Sequence, residues 1–276
     1  MSKLSLTSPV RQFYRFLLNS TLNESGEDDL GQSAMVFSPH QDDETLGCGG
    51  TIIRKKKAGA DVKLVFMTDG SSSHAHLISE NELKSIRERE AIAAARLLGL
   101  EASDTLFLAF KDGRLEKHRD AAIEKVKTIL LSHQPQAVFI PYYKESPSDH
   151  WVTNRVVLSA LKQSGIKATV YEYPIWFWHH WPWIGLGGSR REKLSLLKKS
   201  LLSGFGLQIL KDFRCAVYIG EVLELKRLAL SQHKSQMTRL LSDPSWLTLN
   251  DVSNGEFVEC FFQNFELFYK YNLPER

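Results

Sequence analysis

The stretch MVFSPHQDDETLGCGG, residues 35–50, sets a histidine and three acids side by side: His40, Asp42, Asp43 and Glu44. His40 and Asp43 are separated by two residues, so in a turn or a first helical turn an imidazole nitrogen and a carboxylate oxygen can meet one cation. Histidine with carboxylate suits zinc or a neighbouring first-row divalent metal. A catalytic site needs a third protein ligand and an open position for water. His150, in PYYKESPSDHW, is the best-placed candidate, because that segment also leaves an apolar run and enters a helical one. Asp42 is then left over beside the pair. A carboxylate there can serve as the base for a water made more acidic by the ion.

Each piece has a plainer reading. Acids at a helix start are favoured by capping and by the helix dipole, and Asp42, Asp43 or Glu44 can do no more than that. GCGG can serve close helix–strand packing, or cradle a phosphate, although it lacks the GxGxxG order. A lone histidine is usually an ordinary polar contact. What favours the metal is the combination, with both segments at the ends of predicted strands.

The elements that must position these residues alternate. Strand-like runs at Ala34–Ser38, Val62–Met67, Thr105–Phe110, Ala137–Ile140 and Ala168–Tyr173 are separated by helical stretches at Leu46–Ala58, Glu80–Leu98, Leu115–His133 and Trp151–Gln163. That rhythm predicts an α/β fold, a Rossmann-like three-layer core over about 34–173 with a mainly parallel sheet. Ligands in such sheets bind beyond the carboxyl ends of the strands. Upstream, Pro9–Leu18 reads as a helix and NESGEDDLGQS as a loop. After Tyr173 the rhythm fails: YPIWFWHHWPWIGLGGSRR is followed by a helix at Glu192–Ser203, the strand-like CAVYIG, a helix at Glu221–Met237 and an aromatic tail. We read residues 174–276 as a C-terminal α/β extension packed on the core and contributing to its site, the whole chain of 276 residues forming one domain.

Composition narrows the partners. A net charge of +3 and a pI near 8.6 fall short of the clustered basic excess that nucleic-acid binding needs. Cys48, Cys215 and Cys260 lie far apart without a CxxC pair, which argues against a disulfide scaffold or a thiolate zinc site. The first thirty residues lack a continuous apolar secretory segment, and no run elsewhere is long enough to span a bilayer. The expectation is a soluble cytoplasmic protein without stable membrane insertion, for which an oligomer is possible.

PHQDDETLGCGG resembles the PHPDDExLGCGG signature of the PIG-L/LmbE-like deacetylases, zinc-dependent enzymes that remove acetyl groups from N-acetylglucosaminyl compounds and related N-acyl substrates. FMTDG, SIREREAIAAARLLGL, FKDGRL and SDHWVTNRVV are similar to further family segments, so the likeness runs from about Met35 to Val157, with ALSQHKSQM, Ala229–Met237, resembling a C-terminal element. The resemblance implies His40, Asp43 and His150 as ligands of Zn2+ (or another divalent first-row metal), Asp42 as general base, and Arg87 and Asp112 as residues that hold the sugar. The implied partner is a small-molecule N-acetylated sugar conjugate. Read from the residues alone, Arg87 can equally pair with Glu88 or Glu90 on a solvated helix face.

Two positions depart from the family pattern. Gln41 replaces a proline, for which little consequence is expected, and Pro147 replaces a histidine that helps stabilise the oxyanion or handle the proton. Losing one oxyanion donor costs about 3 kcal/mol of transition-state stabilisation. His74, His76, His179, His180 and His233 are the candidates to compensate, with Asp42 able to carry both protons. WFWHHWPW, Trp176–Trp183, can stack on a sugar or aglycone, or simply pack. The reading is a metal-dependent amide hydrolase. Its alternatives are a noncatalytic sugar- or nucleotide-binding module on the same fold and, more weakly, an interaction protein that docks through its aromatic extension.

Overall fold

A computed structural model describes residues 7–187 and 190–273. Its strands are β1 (Asn23–Glu24), β2 (Ala34–Ser38), β3 (Val62–Thr68), β4 (Thr105–Phe110), β5 (Ala137–Pro141), β6 (Thr169–Tyr173), β7 (Cys215–Tyr218) and β8 (Phe265–Asn272). The helices are α1 (Thr7–Thr21), α2 (Glu27–Gly31), α3 (Asp43–Lys57), α4 (Glu80–Leu97), α5 (Arg119–His133), α6 (Ser148–Ser164), α7 (Arg190–Leu202), α8 (Leu207–Asp212), α9 (Leu223–Leu230), α10 (Lys234–Met237) and α11 (Glu256–Glu259). All eight strands form one sheet in the order β1-β7-β8-β6-β5-β2-β3-β4. Strands β2 to β6 pair in parallel, and β8 runs antiparallel to both β6 and β7. The expected α/β core with a mainly parallel sheet is what the chain forms.

The three layers follow from the period-2 burial of the strands. Along β2, Ala34 and Val36 join a core shared with α3 and α4, while Met35 and Phe37 join a second core shared with α5 and α6. In β5, Ala137 and Phe139 divide from Val138 and Ile140 in the same way. Both faces are covered, so every residue of these two strands is apolar or buried. No helix among the described residues is long and apolar enough to cross a membrane.

Two expectations change. NESGEDDLGQS is not a loop throughout: Asn23 and Glu24 add a short parallel strand beside β7, and α2 follows, its first turn carrying Glu27, Asp28 and Asp29 where the helix dipole favours acids. The predicted helix at Glu221–Met237 is broken. It runs as a 3-10 turn, α9, a turn and α10, because His233 leaves helical geometry (φ −76°, ψ 60°) and turns its ring onto the buried Glu44.

The glycines of GCGG serve packing. A methyl group on Gly47 would run into the Tyr173 ring, and one on Gly50 into Ile219. The Gly50 and Thr51 amides do not face a ligand: each donates at 2.7 Å to the carboxylate of Glu266. Lys226 completes the insertion, its Nζ lying 2.8 Å from Glu266 Oε1 and donating to the carbonyls of Leu46 and Phe261 at 2.8 Å each. A buried ion pair from the extension therefore enters the hydrogen-bond ladder of α3, the helix whose first turn carries Asp43.

Candidate active site

Strand β2 lies between β5 and β3, and α3 leads from β2 to β3, so the strand order reverses between β2 and β5. Loops leaving the carboxyl ends of these strands border the crevice where ligands bind in such sheets. One loop brings His40, Asp42 and Asp43. The other ends at Pro147, which caps α6, so that Asp149 and His150 occupy that helix's first turn.

Ligand-capable atoms of His40, Asp43 and His150 lie within 4.8 Å of one another. Asp43 Oδ2 stands 3.2 Å from His40 Nδ1 and 3.4 Å from His150 Nε2. His150 is fully buried, yet neither ring nitrogen has a hydrogen-bond partner. A divalent cation would satisfy that orphaned imidazole, and the two-histidine, one-carboxylate set fits such an ion. Burial pushes the His150 pKa down to about 4, against the pull of Asp43, which keeps the ring in its neutral, ligating form. Burial alone would raise Asp43, but His150 and His40 outweigh it and hold the carboxyl below its ordinary value.

His40 is backed from its other side. Its Nε2 lies 3.2 Å from Asp112 Oδ1 and 3.5 Å from Asp149 Oδ2. Burial disfavours a charged His40, but Asp112, Asp149 and Asp43 together raise its pKa well above normal. Carboxylates placed this way orient a ligating imidazole. Asp149 is itself fixed, accepting the Gly113 and Leu115 amides, and Asp112 Oδ2 accepts the Ser72 amide at 2.9 Å.

Asp42 holds a sterically disfavoured backbone, φ 148° and ψ −31°, at the start of α3. Such conformations cost about 1–3 kcal/mol and persist where the surroundings over-determine them. Here the Asp42 amide donates to Glu44 Oε2 at 2.9 Å, and the other Glu44 oxygen is 2.9 Å from His233 Nε2. Burial pushes the Asp42 pKa up to about 7 with help from Asp43, while Arg87, His233 and His40 act the other way.

Arg87 is not on a solvated face and pairs with neither neighbouring glutamate. It is buried, donates to the carbonyls of Gln41 (2.7 Å) and Gly70 (3.2 Å), and lies 3.5 Å from Asp42 Oδ1. Glu90 instead accepts the backbone amide and hydroxyl of Ser235. Gln41 does more than loosen a turn: its buried amide donates to the Thr68 carbonyl, tying the β2 loop to the end of β3. Gly70, at φ +62°, leaves room for that side chain.

A cavity of about 350 Å³ opens over this group, with His40, Asp42, Asp43, Arg87 and Asp112 on its polar side. The extension supplies Ile175, Trp176, Gln236, Leu249 and Phe257 as further lining. Pro147 also faces it, but none of the five candidate histidines does. His74 stacks on Trp246 and bonds the Leu247 carbonyl, His76 is exposed, and His233 is held by Glu44 behind Asp42. His179 and His180 line neighbouring cavities. The aromatic stretch divides: Trp178 and Trp183 are buried against each other, whereas Trp176 stacks on Phe257 with ring centroids 4.7 Å apart and lines the site.

Sequence reasoning passed over Glu145, Asp149 and Gln236. Glu145 is buried, accepts the amides of Ile175, Trp176 and Phe177 at 2.7, 2.8 and 3.2 Å, and lies 3.8 Å from His150 Nδ1. It thus fixes the Trp176 wall beside His150. The signal available for Asp149 was its place immediately before His150. Nothing local marks Glu145, whose partners lie thirty residues on.

Residues 35–161 match the family model described as PIG-L: GlcNAc-PI de-N-acetylase. The chain is 25% identical over 224 residues to a diacetylchitobiose deacetylase of Thermococcus kodakarensis, covering 79% of this chain and 74% of that one. It is likewise 25% identical over 261 residues to a 1D-myo-inositol 2-acetamido-2-deoxy-alpha-D-glucopyranoside deacetylase of Rhodococcus opacus, covering 83% and 89%. The fold resembles that of the N,N'-diacetylchitobiose deacetylase of Pyrococcus horikoshii, with a TM-score of 0.62, 20% identity and coverage of 98% and 94%. The matched segment contains both loops that build the trio, so residues 35–161 are similar to the PIG-L family over the part of the chain that carries the site.

Proposed function

We propose that this protein is a zinc-dependent hydrolase that removes the N-acetyl group from a small N-acetylglucosamine-containing substrate, with His40, Asp43 and His150 holding the metal. The observation that carries the reading is Asp42: a buried carboxylate in a disfavoured backbone conformation, beside a set of donors it does not complete. A bound divalent ion supplies charge that polarises the acetyl carbonyl and makes a nearby water easier to deprotonate. Asp42 takes the proton of the attacking water and returns it to the departing amine. Arg87 and Glu44 hold Asp42 in place through the contacts described above. Arg87 and Asp112, both facing the cavity, bind sugar hydroxyls, and the Trp176–Phe257 wall excludes water from the reacting amide. The whole chain acts as one unit, since β8 joins the core sheet to the extension. Three free, buried cysteines are in keeping with the reducing cytoplasm.

The test is release of free amine from N-acetylglucosamine conjugates by the zinc-loaded protein and by Asp42→Asn. The variant is expected to keep one zinc per chain while turnover falls by about 10²–10⁴, the usual contribution of a positioned acid–base group. Undiminished turnover in the variant refutes the role given to Asp42. Binding of conjugates without amine release from any of them would make the protein a sugar-binding module instead.

A further inference from the structure

Glu145, on the loop before α6, is a buried carboxylate that serves two parts of the site at once. Its Oε1 accepts the amides of Ile175 and Phe177, and its Oε2 accepts that of Trp176. These amides open the 3-10 turn Trp176–Trp178, so Glu145 satisfies the free N–H groups at that turn's start, which the side chain of Ile175 cannot do. Oε2 also stands 3.8 Å from His150 Nδ1. Among the described residues, the partners of Glu145 are therefore three backbone amides and one imidazole edge, with no lysine or arginine.

The two nitrogens of the His150 ring face different neighbours. Nε2 lies 3.4 Å from Asp43 Oδ2, inside the trio, whereas Nδ1 faces Glu145. Both are buried and neither has a hydrogen-bond partner. An imidazole that gives its Nε2 lone pair to a cation carries its proton on Nδ1, and that N–H is then a stronger donor. The carboxylate oxygen it faces is the one that already holds the Trp176 amide. At 3.8 Å the pair is beyond hydrogen-bond length, so this contact is one that remains to be made.

We infer that Glu145 is a positioning residue that couples metal occupancy to the wall of the catalytic cavity. When His150 ligates through Nε2, its Nδ1–H donates to Glu145 Oε2, and the carboxylate fixed in this way holds the amides of residues 175–177. Trp176 stacks on Phe257 with ring centroids 4.7 Å apart and lines the cavity, so the wall is firm only when the trio is loaded. The drive for the link is electrostatic, because a buried carboxylate without a cation beside it is costly. The coupling is also reciprocal: order in the wall strengthens metal binding by the same factor. The inference rests on His40, Asp43 and His150 being the metal site.

The experiment measures zinc affinity by competition with a chelator, and amide hydrogen exchange at residues 175–177 with and without zinc, in the wild type and in Glu145→Gln. Glutamine keeps the length and one carbonyl acceptor but not the charge. In the wild type, zinc is expected to slow exchange at those three amides about tenfold more than at the Gly185 amide, which Glu256 holds and which serves as the reference. Glu145→Gln should bind zinc about tenfold to a hundredfold more weakly, the usual effect of losing a carboxylate behind a ligating histidine, and should lose the zinc-dependent protection. A carboxylate that only caps the turn would lower the melting temperature of the zinc-free protein and leave zinc affinity unchanged. Exchange in the wild type requires no variant, so poor folding of Glu145→Gln leaves the test intact. Equal zinc affinity in the two proteins, or no zinc-dependent protection in the wild type, overturns the link while the trio stands. Absence of zinc binding by the wild type overturns the trio, and the link with it.

Discussion

His233→Ala perturbs the support of Asp42 without touching the metal trio. His233 and Glu44 are both wholly buried, 2.9 Å apart, and the far oxygen of Glu44 holds the Asp42 amide. Burial alone would depress the His233 pKa, but the charge and hydrogen bond of Glu44, with Asp42 beyond it, raise it above its ordinary value. Removing one partner of a buried pair strands the other charge, which costs about 3–5 kcal/mol. At roughly 2–4 °C per kcal/mol for a chain of this size, the melting temperature should fall on the order of 10 °C. The pH dependence has a definite sign. A histidine whose folded pKa is raised contributes its full stabilisation below the unfolded pKa of about 6.5, and loses it as pH rises through the folded value. The difference between wild type and variant in urea unfolding should therefore be largest below pH 6.5 and shrink on the alkaline side. Catalysis gives a second readout. The positive charge of His233 lowers the Asp42 pKa, so its loss should move the acidic limb of kcat/KM toward higher pH. His233→Gln keeps a donor for Glu44 and should recover part of the stability but not the position of that limb. A His233→Ala protein within 1 kcal/mol of wild type at pH 6, with an unmoved acidic limb, would refute the reasoning.

Lys226→Met leaves the Glu266 carboxylate and the Leu46 and Phe261 carbonyls without their cation, and should cost about 3–5 kcal/mol in urea unfolding. Gly47→Ala drives a methyl group into Tyr173, whose hydroxyl is tied to the Phe37 carbonyl at 2.7 Å, so the ring cannot swing aside; a loss of about 1–3 kcal/mol is expected from thermal melts. Trp176→Ala should raise KM for a neutral glycoside by roughly threefold to tenfold with little change in kcat, as loss of a stacking face predicts; lower stability with unchanged KM would assign Trp176 to packing alone. Chelation of bound metal should lower the melting temperature, and His150→Ala should abolish that difference together with metal retention measured by elemental analysis.

The sequence was most legible where the signal is local. Strands β2 and β4 run from Ala34 to Ser38 and from Thr105 to Phe110, the bounds read from their apolar runs, because hydrophobic side chains facing two cores need no distant partner to be recognised. Helix starts were less so: α3 begins at Asp43 and α6 at Ser148, ahead of the first apolar residues, since acids and a proline cap open them. β1 could not be read at all, because a two-residue strand exists only through its pairing with β7, nearly two hundred positions away. The break in the helix at 221–237 had the same cause, a long-range bond from His233 to Glu44. Within the site, the residues on the strand-end loops were visible as a pattern, whereas Glu145, Gln236 and the Trp176–Phe257 wall depend on how the extension folds back.

That fold-back bears on the proline at 147. The family's histidine there would put an imidazole beside the reacting carbonyl; here the cavity wall at that point is a pyrrolidine ring, and no other candidate histidine reaches the cavity. The polar groups that remain on its lining are Arg87, Gln236, Ser72 and Ser73 beside the acids and His40. Arg87 already engages two backbone carbonyls through its terminal nitrogens, which makes it a strut for Asp42 before it is a donor to substrate. In the proposed mechanism proton handling then converges on Asp42, which would both take and return the proton, and a carboxylate with that double duty works best with a pKa near the working pH. The surroundings supply that. Burial raises Asp42 toward neutrality, Arg87 and His233 restrain the rise, and Glu44 fixes the backbone that aims it. Glu44 belongs to the first turn of α3, but the His233 that secures it comes from the extension, so in the proposed mechanism the C-terminal hundred residues enter the chemistry through Asp42 as well as through the cavity wall.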